Sequence, residues 1–198
     1  MSDLGDRLKK KFLKNAGIET QAAGNYNPEV EKFSNGINIG TDIGVNRGTE
    51  VFLPKGNWKV NESYGNAQGE GYIGNFQNRG YGNSVLVTDT DTNESFRFSH
   101  LLKPLVTAGQ RLTGGLIALS GNTGNTTGPH VDIETYKNGA LSYLNNISSN
   151  VSGKINLQNI YDKAREKYGN NILAVTTSLE KANAYAKKVN GKTERVEL

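Results

Sequence analysis

The chain has 198 residues, with 23 Lys and Arg, 19 Asp and Glu, and a net charge of +4. It contains no cysteine, which excludes disulfides and thiolate metal sites, and no apolar run long enough to cross a bilayer. The mild positive charge favours an anionic surface without naming one. No RNA-binding aromatic signature or zinc-finger spacing accompanies it, so nucleic acid is not an expected partner.

With 35% hydrophobic residues and 24 glycines, the composition points to a strand-rich and loop-rich domain rather than a helical bundle. The opening MSDLGDRLKKKFLK lacks the apolar stretch of a secretory signal. The expectation is a protein made in the cytoplasm that stays there, or that another device carries to the cell wall. Residues 4–16 are predicted to form an amphipathic helix. Leu4, Leu8 and Phe12 recur every four residues, with Lys9, Lys10, Lys11 and Lys14 elsewhere around it. Such a helix either packs on its own domain with a solvated basic face or docks onto a larger assembly. Residues 20–34 read as a linker.

From Asn35 to Tyr136 the text changes to short β runs and Gly/Asn turns. Val51 and Leu53 share one face, and Trp58 and Val60 follow a Lys-Gly-Asn turn. NSVLVTDTDTNESFRFSHL reads as a hairpin, with Val85 and Val87 alternating on one arm and Phe96 and Phe98 on the other. Its tip, DTDTNE, begins like a calcium loop. However, Glu94 stands where that loop needs glycine and His100 where it needs glutamate, so a polar turn is expected. Residues 61–82 are rich in Gly, Asn and Tyr and read as a long insertion or wide hairpin over one face of the sheet. Beyond Leu144 the pattern becomes helical. Leu157, Ile160, Tyr161, Ala164 and Tyr168 lie on one side of a helix ending at Gly169. A second helix opens with Thr177 and Glu180 at capping-box spacing and closes at Asn190-Gly191.

Three stretches stand in order: NIGTD at 38–42, FSHL at 98–101 and TGNTTGPHVDIE at 123–134. GTEVFLPKG and GYGNSVLV lie between them, and matched glycines and small residues run from Ala108 to His130. Together they resemble the LytM/lysostaphin-type cell-wall endopeptidases, the M23 metallopeptidase family, over residues 35–138. The resemblance implies an antiparallel sheet with a groove, and substrates among the peptide bonds of peptidoglycan, often at glycine. It also implies a zinc site. The family takes its ligands from an H-x-x-x-D stretch and from the second histidine of an H-x-H. Two further histidines assist, one from that pair and one from the end of the hairpin strand. Carried over position by position, the ligands fall on Asn38, Asp42 and Asp132, and the assisting histidines on His100 and His130.

Both imidazole ligands are therefore replaced, while both assisting histidines remain. Asn38 offers a neutral amide oxygen. Asp132 is shorter than histidine and presents oxygen from a different point. This oxygen set suits a hard divalent cation such as Ca²⁺, Mg²⁺ or Mn²⁺ better than zinc. Without a Lewis acid, water keeps its high pKa and an amide carbonyl is not polarised. Ser99 adjoins His100, but neighbours on a strand point to opposite faces, so no Ser–His pair is expected.

The expected fold is mostly β, an antiparallel core with a groove, plus an N-terminal helix and a C-terminal helical appendage. The expected divisions are 1–34 (helix and linker), 35–145 (the M23-like β domain) and 146–198 (the appendage). The expected function is that of a degenerate M23-like domain, inactive, with a cell-wall-binding or structural role. Its partners would be a peptidoglycan peptide and, through the terminal helices, other proteins of a bacteriophage virion such as its tail. One alternative is an active metal-dependent endopeptidase with an unusual ligand set. Another is a scaffold whose groove is blocked by the 61–82 insertion.

Overall fold

The computed structural model describes residues 2–141, apart from Tyr26, Lys32, Phe33 and Asn35. The expected C-terminal helices at 146–198 lie outside the described residues. Helix α1 (Asp3–Phe12) precedes ten strands: β1 (Ile18–Gln21), β2 (Thr41–Gly44), β3 (Glu50–Leu53), β4 (Trp58–Tyr64), β5 (Asn83–Asp89), β6 (Glu94–Pro104), β7 (Arg111–Leu112), β8 (Gly115–Ser120), β9 (His130–Lys137) and β10 (Ala140–Leu141). The main sheet runs β1-β2-β9-β6-β5-β4-β7. In addition, β10 pairs with β9, and β8 pairs with both β3 and β6. Every pairing is antiparallel.

The two-residue period divides the sheet into two faces. Ile43, Val60, Val85, Val87, Phe96, Phe98, Val131 and Ile133 point into the hydrophobic core. The alternate positions on β9, namely His130, Asp132 and Glu134, line the opposite face. The predicted hairpin is present as β5–β6, and its tip is a polar turn. There the Asp91 N–H donates to Asp89 Oδ1 (3.0 Å), and Asn93 takes a left-handed φ of 57°.

Helix α1 starts at Ser2, whose hydroxyl accepts from the Gly5 N–H at 2.9 Å. Asp3 and Asp6 sit in its first turn and Lys9, Lys10 and Lys11 in its last, matching the helix dipole. The apolar stripe is not free for docking. Leu8, Phe12 and Leu13 belong to the core, and the Phe12 ring meets Phe96 at 4.8 Å and Phe98 at 5.0 Å, both edge-on. Each such ring pair contributes about 0.5–1.5 kcal/mol beyond area burial. The basic face is engaged as well, with Lys11 Nζ 4.4 Å from the Phe96 ring centre. Periodicity identified the apolar face, and the sheet covers it, as the reading of a helix packed on its own domain expects.

The expected linker is also part of the domain. Strand β1 pairs with β2, and residues 22–38 fold back as a strap. Within the strap, Gly24 N–H donates to the Asn38 carbonyl (2.7 Å), Asn38 N–H to Asn25 (2.8 Å) and Asn27 N–H to Gly36 (2.7 Å). These bonds satisfy backbone groups that a solvated linker would leave to water. Helix, strap and sheet share one compact unit, residues 1–143.

The 61–82 region divides in two. Residues 61–64 extend β4, and the remainder is a loop containing a 3₁₀ turn at Gln77–Gly80. The loop is fastened to residues 121–125 by Gly71 N–H to the Asn122 carbonyl (2.6 Å), Tyr72 N–H to Gly124 (3.1 Å) and Asn125 N–H to Gly80 (2.7 Å). Close approach requires glycine at Gly82: its φ is 61°, and a Cβ there would lie 2.4 Å from the Thr123 backbone.

Candidate functional site

Pairing of β2 with β9 sets Asp42 directly opposite Asp132 and Gly44 opposite His130. Pairing of β6 with β9 sets Ser99 opposite Asp132. Asn38 precedes β2 in the strap's final turn, and its side-chain oxygen accepts from the Gly40 N–H at 3.3 Å. Asn38, Asp42 and Asp132 all line one cavity. Two neighbouring buried carboxyl groups resist ionising together. Burial raises Asp42 above the usual carboxylate range. It raises Asp132 further, aided by the charges of Asp42, Glu134 and Glu31.

The two histidines complete one wall. His130 Nδ1 lies 2.8 Å from the Gly128 carbonyl, which only accepts. Nδ1 therefore carries a proton, and Nε2 turns toward Asp42 Oδ1 at 4.0 Å. His100 Nδ1–H likewise donates to the Thr123 carbonyl at 2.8 Å. Burial, with the charge of His130, pushes His100 down to about 3, so its ring is neutral at physiological pH. The two ring centres are 4.7 Å apart.

His100 reaches this wall through a bulge. Val85 pairs with Phe98, but Asn83 pairs with Leu101, so β6 carries an extra residue there, and His100 has a φ of 59°. The expectation that Ser99 and His100 face opposite sides is thereby corrected. Ser99 stands opposite Asp132 on the groove face, and His100 lines the groove too. No Ser–His bond forms, and the buried Ser99 hydroxyl has no hydrogen-bond partner.

Together these groups enclose a cavity of about 340 Å³ whose lining includes Glu31, Asp42, His100, His130, Asp132 and Glu134. Arg79 and Gly80 of the fastened loop form another part of the lining, so the insertion walls the groove rather than filling it. Glu31 comes from the strap and accepts from Gln21 (3.1 Å) and Ser34 (3.3 Å). Burial and the nearby charge of Asp42 push it up to about 7. Glu134 is fully buried, 3.5 Å from Arg97 Nε and hydrogen-bonded by the Tyr136 hydroxyl; burial raises it as well. Sequence reasoning missed both residues. Glu134 was accessible by continuing the alternation 130, 132, 134 along β9. Glu31 gave no signal, because the strap has no periodicity.

Residues 36–146 match the model of Peptidase family M23. The chain belongs to peptidase family M23. Among curated relatives of this M23 chain is the peptidoglycan DD-endopeptidase ShyA of Vibrio cholerae. It is 33% identical over 96 residues, 48% of this chain and 19% of the relative. An uncharacterized metalloprotease of Haemophilus influenzae is 37% identical over 101 residues, 50% of this chain and 18% of the relative. The chain thus spans about a fifth of the length of these relatives. The catalytic domain of lysostaphin, an antimicrobial peptidase from Staphylococcus simulans, aligns with a TM-score of 0.50 at 25% identity, covering 65% of this chain and 89% of that domain.

In this M23 domain the residues at the metal positions do not fit zinc. Catalytic zinc sites present imidazole, thiolate or carboxylate donors converging on one point about 2.0–2.3 Å away. Here the three positions hold one amide and two carboxyl groups. Among the described residues no three His, Asp or Glu side chains converge as a metal cage.

Proposed function

We propose that this M23 domain binds peptides of peptidoglycan in its groove without acting as a zinc endopeptidase. The observation that carries the reading is the pair Asn38 and Asp132. Both stand where the family resemblance calls for imidazole, and Asp132 lies directly opposite the remaining acid, Asp42. A groove that keeps its sheet, its histidines and its walls retains shape for binding. Its donor set offers no zinc site for the Lewis acid that amide hydrolysis by this route requires. Neutral His100 offers Nε2 as an acceptor for a peptide N–H.

The test pairs binding with turnover. Purified peptidoglycan is incubated with the full chain and with added zinc. Co-sedimentation without release of new amino ends is the expected result; zinc-dependent release from peptidoglycan or a pentaglycine peptide would overturn it. One observation favours a second reading, hydrolysis with an unusual ligand set: His130 Nε2 lies 4.0 Å from Asp42, and its ring 4.7 Å from that of His100. Turnover appearing only with Ca²⁺, Mg²⁺ or Mn²⁺ would select it.

A further inference from the structure

Among the described residues the groove lining holds the acids Glu31, Asp42, Asp132 and Glu134 and a single Lys or Arg, Arg79. Arg79 is exposed, and among the described residues it pairs with no carboxylate. Arg47 and Arg97, by contrast, are engaged, the first with Glu70 and the second with Glu62 at 2.9 Å and Glu134 at 3.5 Å. The charge of Arg79 reaches Glu134 more weakly than that of Arg97 does. The backbone at Arg79 is a second, independent sign. Asn78 and Arg79 both have left-handed φ, 49° and 58°, and Gly80 follows at 96°. Two consecutive left-handed residues favour the pair Asn-Gly. Asn78 fits that rule, but Arg79 stands where glycine is preferred, and its Cβ makes the conformation costly. Bonds that do not involve the Arg79 side chain hold the turn. Asn78 Nδ2 donates to the Gly82 carbonyl (2.9 Å) and the Ser84 hydroxyl (3.0 Å), and the Gly82 N–H donates to the Gln77 carbonyl (3.1 Å). Glycine would suit this backbone better, so the turn itself gives no reason for an arginine. Strained positions of this kind concentrate at ligand clamps.

We infer that Arg79 is a specificity residue of the groove and binds a carboxylate carried by the peptide ligand. The inference rests on the peptide-binding reading above and names what the peptide brings. A guanidinium presents a planar fork of donors that matches a carboxylate with two parallel hydrogen bonds. The acids of the same cavity make the direction of the preference diagnostic. On their field alone the groove would bind an uncharged amide better than a carboxylate, because like charges repel. A preference for the carboxylate therefore requires a cation in contact with it. His130 faces Asp42 at 4.0 Å, and His100 is neutral, which leaves Arg79 among the described lining residues.

The carboxylate has two sources, the α-carboxylate of a γ-linked D-glutamyl residue or a peptide C-terminus. The tripeptide L-Ala–γ-D-Glu–L-Lys distinguishes them when prepared as the free acid, the D-glutamyl α-amide, the C-terminal amide and the diamide, and titrated by calorimetry into the full chain. Amidating the carboxylate that Arg79 holds is expected to weaken binding about tenfold, and amidating the other is not. Arg79→Gly should bind the free acid about tenfold more weakly than wild type and the diamide no less tightly. Its melting temperature should not fall, because glycine suits the left-handed turn. A lower melting temperature with an unchanged peptide preference would mark Arg79 as a structural partner of Glu134 and overturn the assignment. So would equal affinity of wild type for all four peptides, or tighter binding of the diamide. Co-sedimentation with peptidoglycan but no tripeptide binding overturns the role of Arg79 alone, whereas loss of both overturns the binding reading with it.

Discussion

His100 and His130 lie with their rings 4.7 Å apart and tilted by 48°, although regular alternation would turn His100 toward the core beside Phe96 and Phe98. The left-handed φ of 59° at His100 redirects its side chain, and the bond from its backbone N–H to the Tyr81 carbonyl (2.9 Å) holds the bulge. The histidine pair is thus built into the backbone of β6, separately from the residues at the metal positions. This separation explains how the pair persists beside an altered ligand set.

It also makes the metal positions testable by substitution. Asn38→His with Asp132→His restores two imidazoles around Asp42, the ligand set of a three-ligand zinc site. The double variant is expected to bind about one zinc per chain by calorimetry, and wild type none. A folded double variant that binds no zinc would mean that positions 38, 42 and 132 do not converge.

Gly40 shapes the same corner. A Cβ there would fall 1.7 Å from Asp132 Oδ1 and 2.7 Å from its Cγ. Gly40→Ala should destabilise the fold by about 1–3 kcal/mol in urea melts, as overpacking does. Adding Asp132→Ala should recover most of that loss, because the clash is with this one side chain. An unrecovered loss would place the strain in the backbone instead.

Phe12 tests whether the helix belongs to the domain. It is fully buried and touches Trp58, Phe96 and Phe98. Phe12→Ala should cost about 3–5 kcal/mol of unfolding free energy. A merely appended helix would unfold separately and leave the sheet's transition unmoved.

Glu31 gives a pH signature. Its folded value, about 7, lies above the ordinary glutamate value of 4.5. Its contribution is therefore fully present below about pH 4.5 and is lost as pH rises through about 7, because the unfolded chain releases the proton first. Glu31→Gln removes this dependence and keeps the capacity to bond Gln21 and Ser34. The melting temperature of the variant relative to wild type should rise between about pH 4.5 and 7 and then level off. A difference that stays flat with pH would show that Glu31 is solvated.

What the sequence made legible follows from what periodicity encodes. Val85, Val87, Phe96 and Phe98 alternate, and they form the expected hairpin with its core face. His130 and Asp132 share a strand face as their spacing requires. Alternation does not foresee an extra residue, so the facing of His100 was hidden. Nor does an amphipathic stripe say what covers it: Leu8 and Phe12 marked a face without revealing that Phe96 and Phe98 were its partners. Glu31 reaches the groove through turns and backbone bonds of the strap, which carry no repeating pattern at all.

The burial of α1 against β6 has a consequence for how the chain is made. The helix leaves the ribosome well before Phe96 and Phe98 exist to receive Phe12. During that interval its apolar stripe is exposed, and only its charged residues oppose premature association. Core closure must wait for a contact far along the chain, which makes the final step slow and dependent on loop closure. Cells producing this protein quickly would accumulate chains with an uncovered sheet face and a loose helix, a natural client for holding chaperones.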